Sequence, residues 1–266
     1  MEAEVRVLDH GYVRLVERWG SDAGFIEAAR MSTNKGFQGW RADDLWVCPA
    51  CGYTATSSVV GGATYVQCPN RAHAPTQLEF KEAAPGDEKL LRYLYEHKHM
   101  TPFEMGGLII EVQAPIFVFR EWHRHRTQSY NELSARYTAL PDMFYVPSVE
   151  RVEQSAAKSA NKQASGGGTL DEHPLVVQGY IEEAQRECRR IYELLLAKGV
   201  SKEVARVVIP VSQYSRMRAS ANLRNWLAFL TLRLDPAAQW EIRQFAEAVA
   251  GIIEREFPRT WELFAK

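Results

Sequence analysis

No long apolar run is present in the chain. The longest stretch free of Asp, Glu, Lys and Arg is residues 45–70. It contains Pro49, Gly52, Gly61, Gly62 and many Ser and Thr residues, so it cannot stay helical in lipid. No membrane partner is therefore expected. The first residues, Met-Glu-Ala-Glu-Val-Arg, show no basic segment leading into an apolar one. A secretory leader is not expected, and a cytoplasmic location is. Cysteine is scarce: four in 266 residues exclude a disulfide-rich scaffold. A chain of this length buries enough apolar surface to fold without bridges. An excess of one charge is also missing, with Lys plus Arg at 32 against Asp plus Glu at 33. That balance argues against nucleic acid or membrane held by global charge and leaves only local patches. No segment repeats, and no Gly-x-Gly-x-x-Gly follows a strand pattern, so a Rossmann nucleotide site is not expected.

What is present is an ordinary globular composition, 46% hydrophobic and 24% charged. A short helix is expected over residues 22–31. Leu90, Leu91, Leu94 and Tyr95 mark an amphipathic helix opening near Pro85-Gly86-Asp87. Residues 108–112 read as a strand, 115–125 as a helix begun by proline, and 144–146 as a short strand. Residues 155–169, with Gly166, Gly167 and Gly168, have loop composition. Val177, Tyr180, Ala184, Cys188, Ile191 and Leu195 form a helical apolar stripe stopped by Gly199, which makes Cys188 a core thiol. Ser201-Lys202-Glu203 caps a short helix that Pro210 ends, and residues 213–219 read as a weak strand. Residues 222–234 fit a helix. Asp235-Pro236 reads as the start of another, with Ile242, Phe245, Val249, Ile252 and Ile253 on its buried face. The sum is an α+β domain, a helical layer beside a small sheet.

The densest chemical signal is residues 120–136, with Arg120, Arg124, Arg126 and Arg136 among His123, His125, Trp122, Tyr130, Asn131 and two serines. Planar guanidinium forks match phosphate oxygens. On a helix, Arg124 and Arg126 would point different ways and grip different groups. Residue chemistry alone leaves two readings, an anion-binding site or a solvated basic face.

Arg124-His125-Arg126, followed by seven residues and Ser134, resembles the signature of the flavin-dependent thymidylate synthases. Ser129-Tyr-Asn-Glu-Leu-Ser-Ala-Arg-Tyr137, Thr101-Pro-Phe-Glu104, Ala114-Pro-Ile-Phe117, Phe144-Tyr-Val-Pro147, Glu203-Val-Ala-Arg206 and Ala238-Gln-Trp-Glu241 are similar to that family too. The resemblance implies methylation of deoxyuridine monophosphate (dUMP) by methylenetetrahydrofolate. It also implies FAD as hydride carrier, NADPH as reductant and a homotetramer with sites between subunits. It places FAD on Thr101, Arg124, His125, Arg126, Asn222, the Leu223 backbone and Arg224. Glu132 lies between flavin and nucleotide. Glu121, Arg124, Ser134, Ala135, Arg136 and Arg206 fall on the nucleotide. By the same resemblance Arg233 is expected to contact the pyrimidine and favour ionisation at its N3, and His99 to lie near the folate and flavin rings. Ser134 is read as a phosphate ligand rather than a nucleophile, since no base stands at a fixed spacing. His99 has a second reading as a helix C-terminal cap, and Arg206 and Arg224 as surface ion pairs. Three positions depart from the family pattern: Glu121 for Gln, Ala228 for Asn and Ala237 for His.

Residues 37–85 differ in composition and read as an insertion that interrupts a single domain, 1–266. Cys48-Pro-Ala-Cys51-Gly52 has knuckle spacing, and Cys68 and His73 follow. The pattern suggests a zinc-ribbon-like β-hairpin over residues 53–67, holding a structural Zn²⁺ on Cys48, Cys51, Cys68 and His73. The rivals are a Cys48–Cys51 redox pair and free thiols. Two functional alternatives remain, a zinc-containing nucleic-acid module and a flavin-binding homologue without synthase activity.

Overall fold

A computed structural model describes residues 4–41, 43–56, 67–156 and 168–266. In chain order its strands are β1 (Val5–Val7), β2 (Gly11–Trp19), β3 (Leu45–Val47), β4 (Thr54–Thr56), β5 (Glu79–Glu82), β6 (Gly107–Pro115), β7 (Ser129–Glu132) and β8 (Tyr214–Asn222). Its helices are α1 (Asp22–Arg30), α2 (Asp87–Glu96), α3 (Ile116–Trp122), α4 (Val149–Gln154), α5 (Pro174–Ala197), α6 (Lys202–Ala205), α7 (Leu223–Arg233), α8 (Trp240–Glu256) and α9 (Pro258–Phe264). Short 3-10 turns occupy Met31–Thr33, Thr101–Glu104 and Arg206–Val208. The contacts divide the chain into two compact units, Met1–Trp19 with Gly106–Glu256, and Gly20–Met105 with Phe257–Lys266.

The first unit holds a five-stranded antiparallel sheet in the order β1-β2-β6-β8-β7. Alternate residues of β6, namely Leu108, Ile110, Val112 and Ala114, are fully buried. α8 covers β1 and β2 and buries Ile242, Phe245, Val249, Ile252 and Ile253, the face its periodicity marks. Gly107 sits where β6 meets β8, and a Cβ there would lie 2.3 Å from Ala221 O. Asn222 caps α7 by accepting from Asn225 N–H at 3.0 Å.

The second unit packs Phe25 of α1 against Phe103 and Phe257, with ring centroids 5.4 and 5.6 Å apart. Asp22 ties α1 to α9, accepting from the Thr260 hydroxyl at 2.6 Å and from the backbone N–H of Arg259 and Thr260. Asp87 does the same for α2. It accepts from Arg30 and from the backbone N–H of Gln38 and Gly39. A three-stranded antiparallel sheet, order β4-β3-β5, lies within residues 37–85.

Several expectations need correction. Residues 144–146 make a single bridge, Phe144 to Gln213, because Tyr145 O accepts from the Gln185 side chain and Val146 N–H donates to Asp9 instead of extending the ladder. Asp235-Pro236 does not open a helix. The Asp235 carboxylate accepts from Ala237 N–H at 2.7 Å and closes a turn, and α8 starts only at Trp240. Pro115 ends β6 and caps α3, which stops at Trp122. The stripe on α5 is not a core face in this chain. Tyr180 and Ala184 are exposed, Cys188 is half-buried, and only Gln185 and Tyr192 of the helix are buried. The knuckle is the turn between β3 and β4. Most of the hairpin expected over residues 53–67 (57–66), and residues 157–167 of the expected loop, lie outside the described residues.

Candidate active site

Arg124, His125 and Arg126 do not lie on a helix. They follow α3 in a turn that leads into β7. The turn closes through His125 N–H to Trp122 O at 2.9 Å and Gln128 N–H to His125 O at 3.2 Å. Side chains clamp it further. Trp122 Nε1 donates to Gln128 Oε1 at 3.0 Å, and the Tyr130 hydroxyl lies 3.1 and 2.8 Å from the carbonyls of Trp122 and His125. Burial pushes the Tyr130 hydroxyl up to about 12, so it stays protonated and donates. Trp122 stacks on Phe229 of α7 at 4.6 Å. The result is a rigid turn that leaves Arg124 and Arg126 exposed and turns His125 inward, edge-on to Phe229.

Arg233, at the end of α7, joins this turn. Its Nε donates to His125 Nε2 at 2.9 Å, its Nη1 to Glu121 Oε2 at 2.9 Å and its Nη2 to the Glu121 carbonyl at 2.9 Å. Burial, with the Arg233 cation beside it, lowers the His125 imidazole to about 4. His125 is therefore neutral near pH 7 and accepts at Nε2, which leaves its proton on Nδ1. Burial also raises the Glu121 carboxyl above its ordinary value, although Arg233 opposes the shift. Glu121 Oε1 is buried without a partner among the described residues. Glu121 is thus the counter-ion of Arg233, a role that its departure from Gln did not suggest.

A second group follows β7. The Ser134 carbonyl accepts from the backbone N–H of Tyr137 and Thr138 at 3.1 and 3.0 Å, and Ser134 Oγ from Arg136 N–H at 3.3 Å. Arg136 faces Glu203 at 3.3 Å, and Arg206 Nε donates to the Glu203 carbonyl at 3.3 Å. Glu203 therefore stands between the two arginines expected on the nucleotide, a place its spacing from either does not signal. A cavity of about 440 Å³ brings Glu132, Ala135 and Arg206 together with Arg120, His123 and Ser215. Arg120 and His123 belong to the arginine-dense stretch, but their approach to Arg206 could not be read from spacing.

At the start of α7, Asn222 is occupied as the cap and Leu223 N–H donates to Gly106 O at 2.7 Å, so Leu223 offers no free N–H. Arg224 is exposed. Asn225 Nδ2 donates to Thr127 O at 3.4 Å, tying this helix to the arginine turn. Ala228 and Ala237 are exposed.

His99 and Thr101 belong to the second unit. His97, not His99, caps α2. The His99 backbone N–H closes on Leu94 O at 2.8 Å past Lys98, whose φ is +59°. Thr101 opens a 3-10 turn and is exposed. Cys48, Cys51, Cys68 and His73 meet there also, with ligand atoms all within 4.8 Å of one another.

The sequence model of the family described as "Thymidylate synthase complementing protein" matches residues 14–259. A flavin-dependent thymidylate synthase of Thermus thermophilus is 36% identical over 98% of this chain and 77% of its own. The chain belongs to the flavin-dependent thymidylate synthase family. Another member, from Thermosipho africanus, is 34% identical over 99% of this chain and 94% of its own. A crystal structure of the UMP/dUMP methylase PolB from Streptomyces cacaoi, bound with 5-Br dUMP, is similar at 29% identity and a TM-score of 0.71. That alignment covers 98% of this chain and 97% of that one. Membership spans the helices of the second half, which a nucleic-acid module leaves unexplained. Among the described residues no helix is long and apolar enough to cross a membrane.

Proposed function

We propose that the chain methylates dUMP at C5 to give thymidine monophosphate, with methylenetetrahydrofolate as one-carbon donor and NADPH as reductant through FAD. The observation that carries this reading is the clamped turn 124–126, locked to Arg233 through His125, in a chain of this family. The donor set suits FAD. Exposed guanidinium groups at Arg124, Arg126 and Arg224 match a pyrophosphate, and Thr101, His125, Glu132 and the Asn222 side-chain amide complete the set, while the Leu223 N–H, held by Gly106 O, does not join it. Bound reduced FAD supplies the hydride. The chain's own residues bind and polarise. Ser134, Ala135, Arg136 and Arg206 hold the phosphate of dUMP, with Arg124 and Glu121 on the same nucleotide. Arg233 stabilises negative charge developing on the pyrimidine, and a donor held in place beforehand loses nothing to reorganisation. Glu121 and neutral His125 fix its orientation. The unpartnered Glu121 Oε1 is an acceptor at the same place for a ligand N–H. His99 serves the folate side.

The same reading holds the chain to be one synthase domain interrupted at 37–85 by a zinc-ribbon-like insertion, with a structural Zn²⁺. It holds the assembly to be a homotetramer. In support of the assembly, α5 leaves Leu175, Val176, Tyr180 and Leu194 exposed, and a cavity of about 510 Å³ opens beside Val177, Ile181 and Cys188. No nucleic acid is part of the proposal.

The test has two arms. The purified protein should show flavin absorbance or take up added FAD, and should form thymidylate from dUMP, the folate donor and NADPH. A protein without flavin bands that binds no FAD overturns the reading. A protein that binds flavin but makes no thymidylate is the inactive homologue instead.

A further inference from the structure

The cysteine cluster has the dimensions of a closed metal site. Cys48 Sγ lies 3.7 Å from His73 Nε2, and Cys51 Sγ lies 3.6 Å from Cys68 Sγ. A tetrahedron with metal–sulfur bonds of about 2.3 Å has edges of about 3.8 Å. A disulfide would need sulfurs about 2.05 Å apart, and all four cysteines are free thiols. The site is supported from behind. His73 Nδ1 lies 2.7 Å from Ala74 O, with Thr76 Oγ1 at 3.3 Å. A proton on Nδ1 donated to that carbonyl leaves the Nε2 lone pair facing Cys48, the arrangement that orients metal-bound imidazoles. The knuckle is built by Gly52, at φ +73°, whose N–H donates to Cys48 O at 2.8 Å. On the other loop, Cys68 N–H donates to Thr76 O at 2.8 Å. Three thiolates and an imidazole suit Zn²⁺ over Mg²⁺ or Ca²⁺, and four protein ligands leave no open position for chemistry.

Among the described residues, the sheet around this cluster has little else to hold it. Its strands run three, three and four residues. Its core is Cys48, Ala55 and Leu78, with Trp46 and Cys68 packed against them. One of those three buried side chains is itself a ligand. A sheet so small needs a staple. Its neck is tied independently, by Asp44 accepting from Ala84 N–H at 2.8 Å and by Asp87 accepting from Gln38 and Gly39. None of the residues assigned to flavin or nucleotide lies within 45–82.

We infer that the described stretches 45–56 and 67–82 are a metal-dependent folding unit, whose sheet forms only when Zn²⁺ closes the Cys48, Cys51, Cys68 and His73 site, while the rest of the chain folds without it. This holds whatever reaction the chain performs.

The full-length protein, purified under reducing conditions, is assayed for metal. One zinc per chain is expected. Replacement by Co²⁺ should give the visible bands of a tetrahedral thiolate site. Cys51→Ser and Cys68→Ser should lose the metal, and Cys188→Ser should keep it. Removing zinc from the wild-type protein with a chelator should speed tryptic cleavage after Arg71 and Lys81 at least about tenfold and leave the helical circular dichroism in place. Re-adding Zn²⁺ should restore protection. The wild-type arm applies even where a variant fails to fold. Protein without zinc that also gives no cobalt bands overturns the site. Loss of metal in Cys188→Ser does the same. Unchanged cleavage after zinc removal overturns the folding dependence, and so does loss of the helical signal along with the metal.

Discussion

Arg233 meets three acceptors at once, and each constrains a different atom of its guanidinium group. Removing it affects charge and packing together. Arg233→Ala is expected to leave flavin bound and to lower turnover by about 10²–10³, the usual cost of losing one electrostatic donor. Melting temperature should fall too, because Glu121 is left half-buried without its cation. Steady-state assays beside flavin absorbance check this, and unchanged turnover would refute the assigned role. His125 gives a pH prediction. Its folded value, about 4, lies below the ordinary 6.5, so the unfolded chain takes the proton first. The stability due to neutral His125 is full above pH 6.5 and is lost as pH falls towards 4. An NMR titration should find its ring still neutral at about pH 5.5. A midpoint near 6.5 would mean that it is neither buried nor held beside Arg233.

At the scale of elements, the legible parts are those built from local contacts. Ser21 caps α1, Asn222 caps α7 and Gly199 follows α5 with φ +81°. Gly199 is legible as a stop from residue type alone, and the two caps are residue types that suit their positions. Strands β1, β2 and β7 were not read, because their partners lie far along the chain and their patterns are short or interrupted by a bulge at Leu15/Glu17. Asp235-Pro236 was misread because an Asp before Pro suits an Asx turn as well as a helix cap. The β6–β8 pairing yields a sharp test. Gly107→Ala would drive a Cβ into Ala221 O and to within 2.5 Å of Trp19 Cζ2, neither of which can yield easily. A loss of about 3 kcal/mol or more is expected in chemical denaturation. A loss below about 1 kcal/mol would show that the two strands do not approach so closely.

For the whole molecule, α5 leaves Leu175, Val176, Tyr180 and Leu194 without cover among the described residues. In the proposed tetramer a second copy supplies it. Tyr180→Glu, at a side chain 59% exposed, should leave the helical content of the chain intact and lower the mass seen in sedimentation. A mass that does not change would place the subunit contact elsewhere. Such a contact also explains why the periodicity marked a buried stripe that this chain leaves half open, since sequence records burial in the assembly as well as in the subunit.

The amino-acid sequence by itself determined the family, through motif blocks kept in order, and the approximate span of helices such as α1, α2, α5 and α7, whose patterns are local. It also marked the arginine-dense stretch and the cysteine knuckle, because both are short-range patterns. Only the tertiary structure decided that Glu121 neutralises Arg233 across 112 residues, and that His125 sits uncharged between flanking arginines. Only the folded chain brings Arg120 and His123 into one cavity with Arg206. The physical reason is the same in each case. Burial and charge pairing depend on which distant segments meet, and the antiparallel sheet sets those meetings through partners that no local spacing encodes.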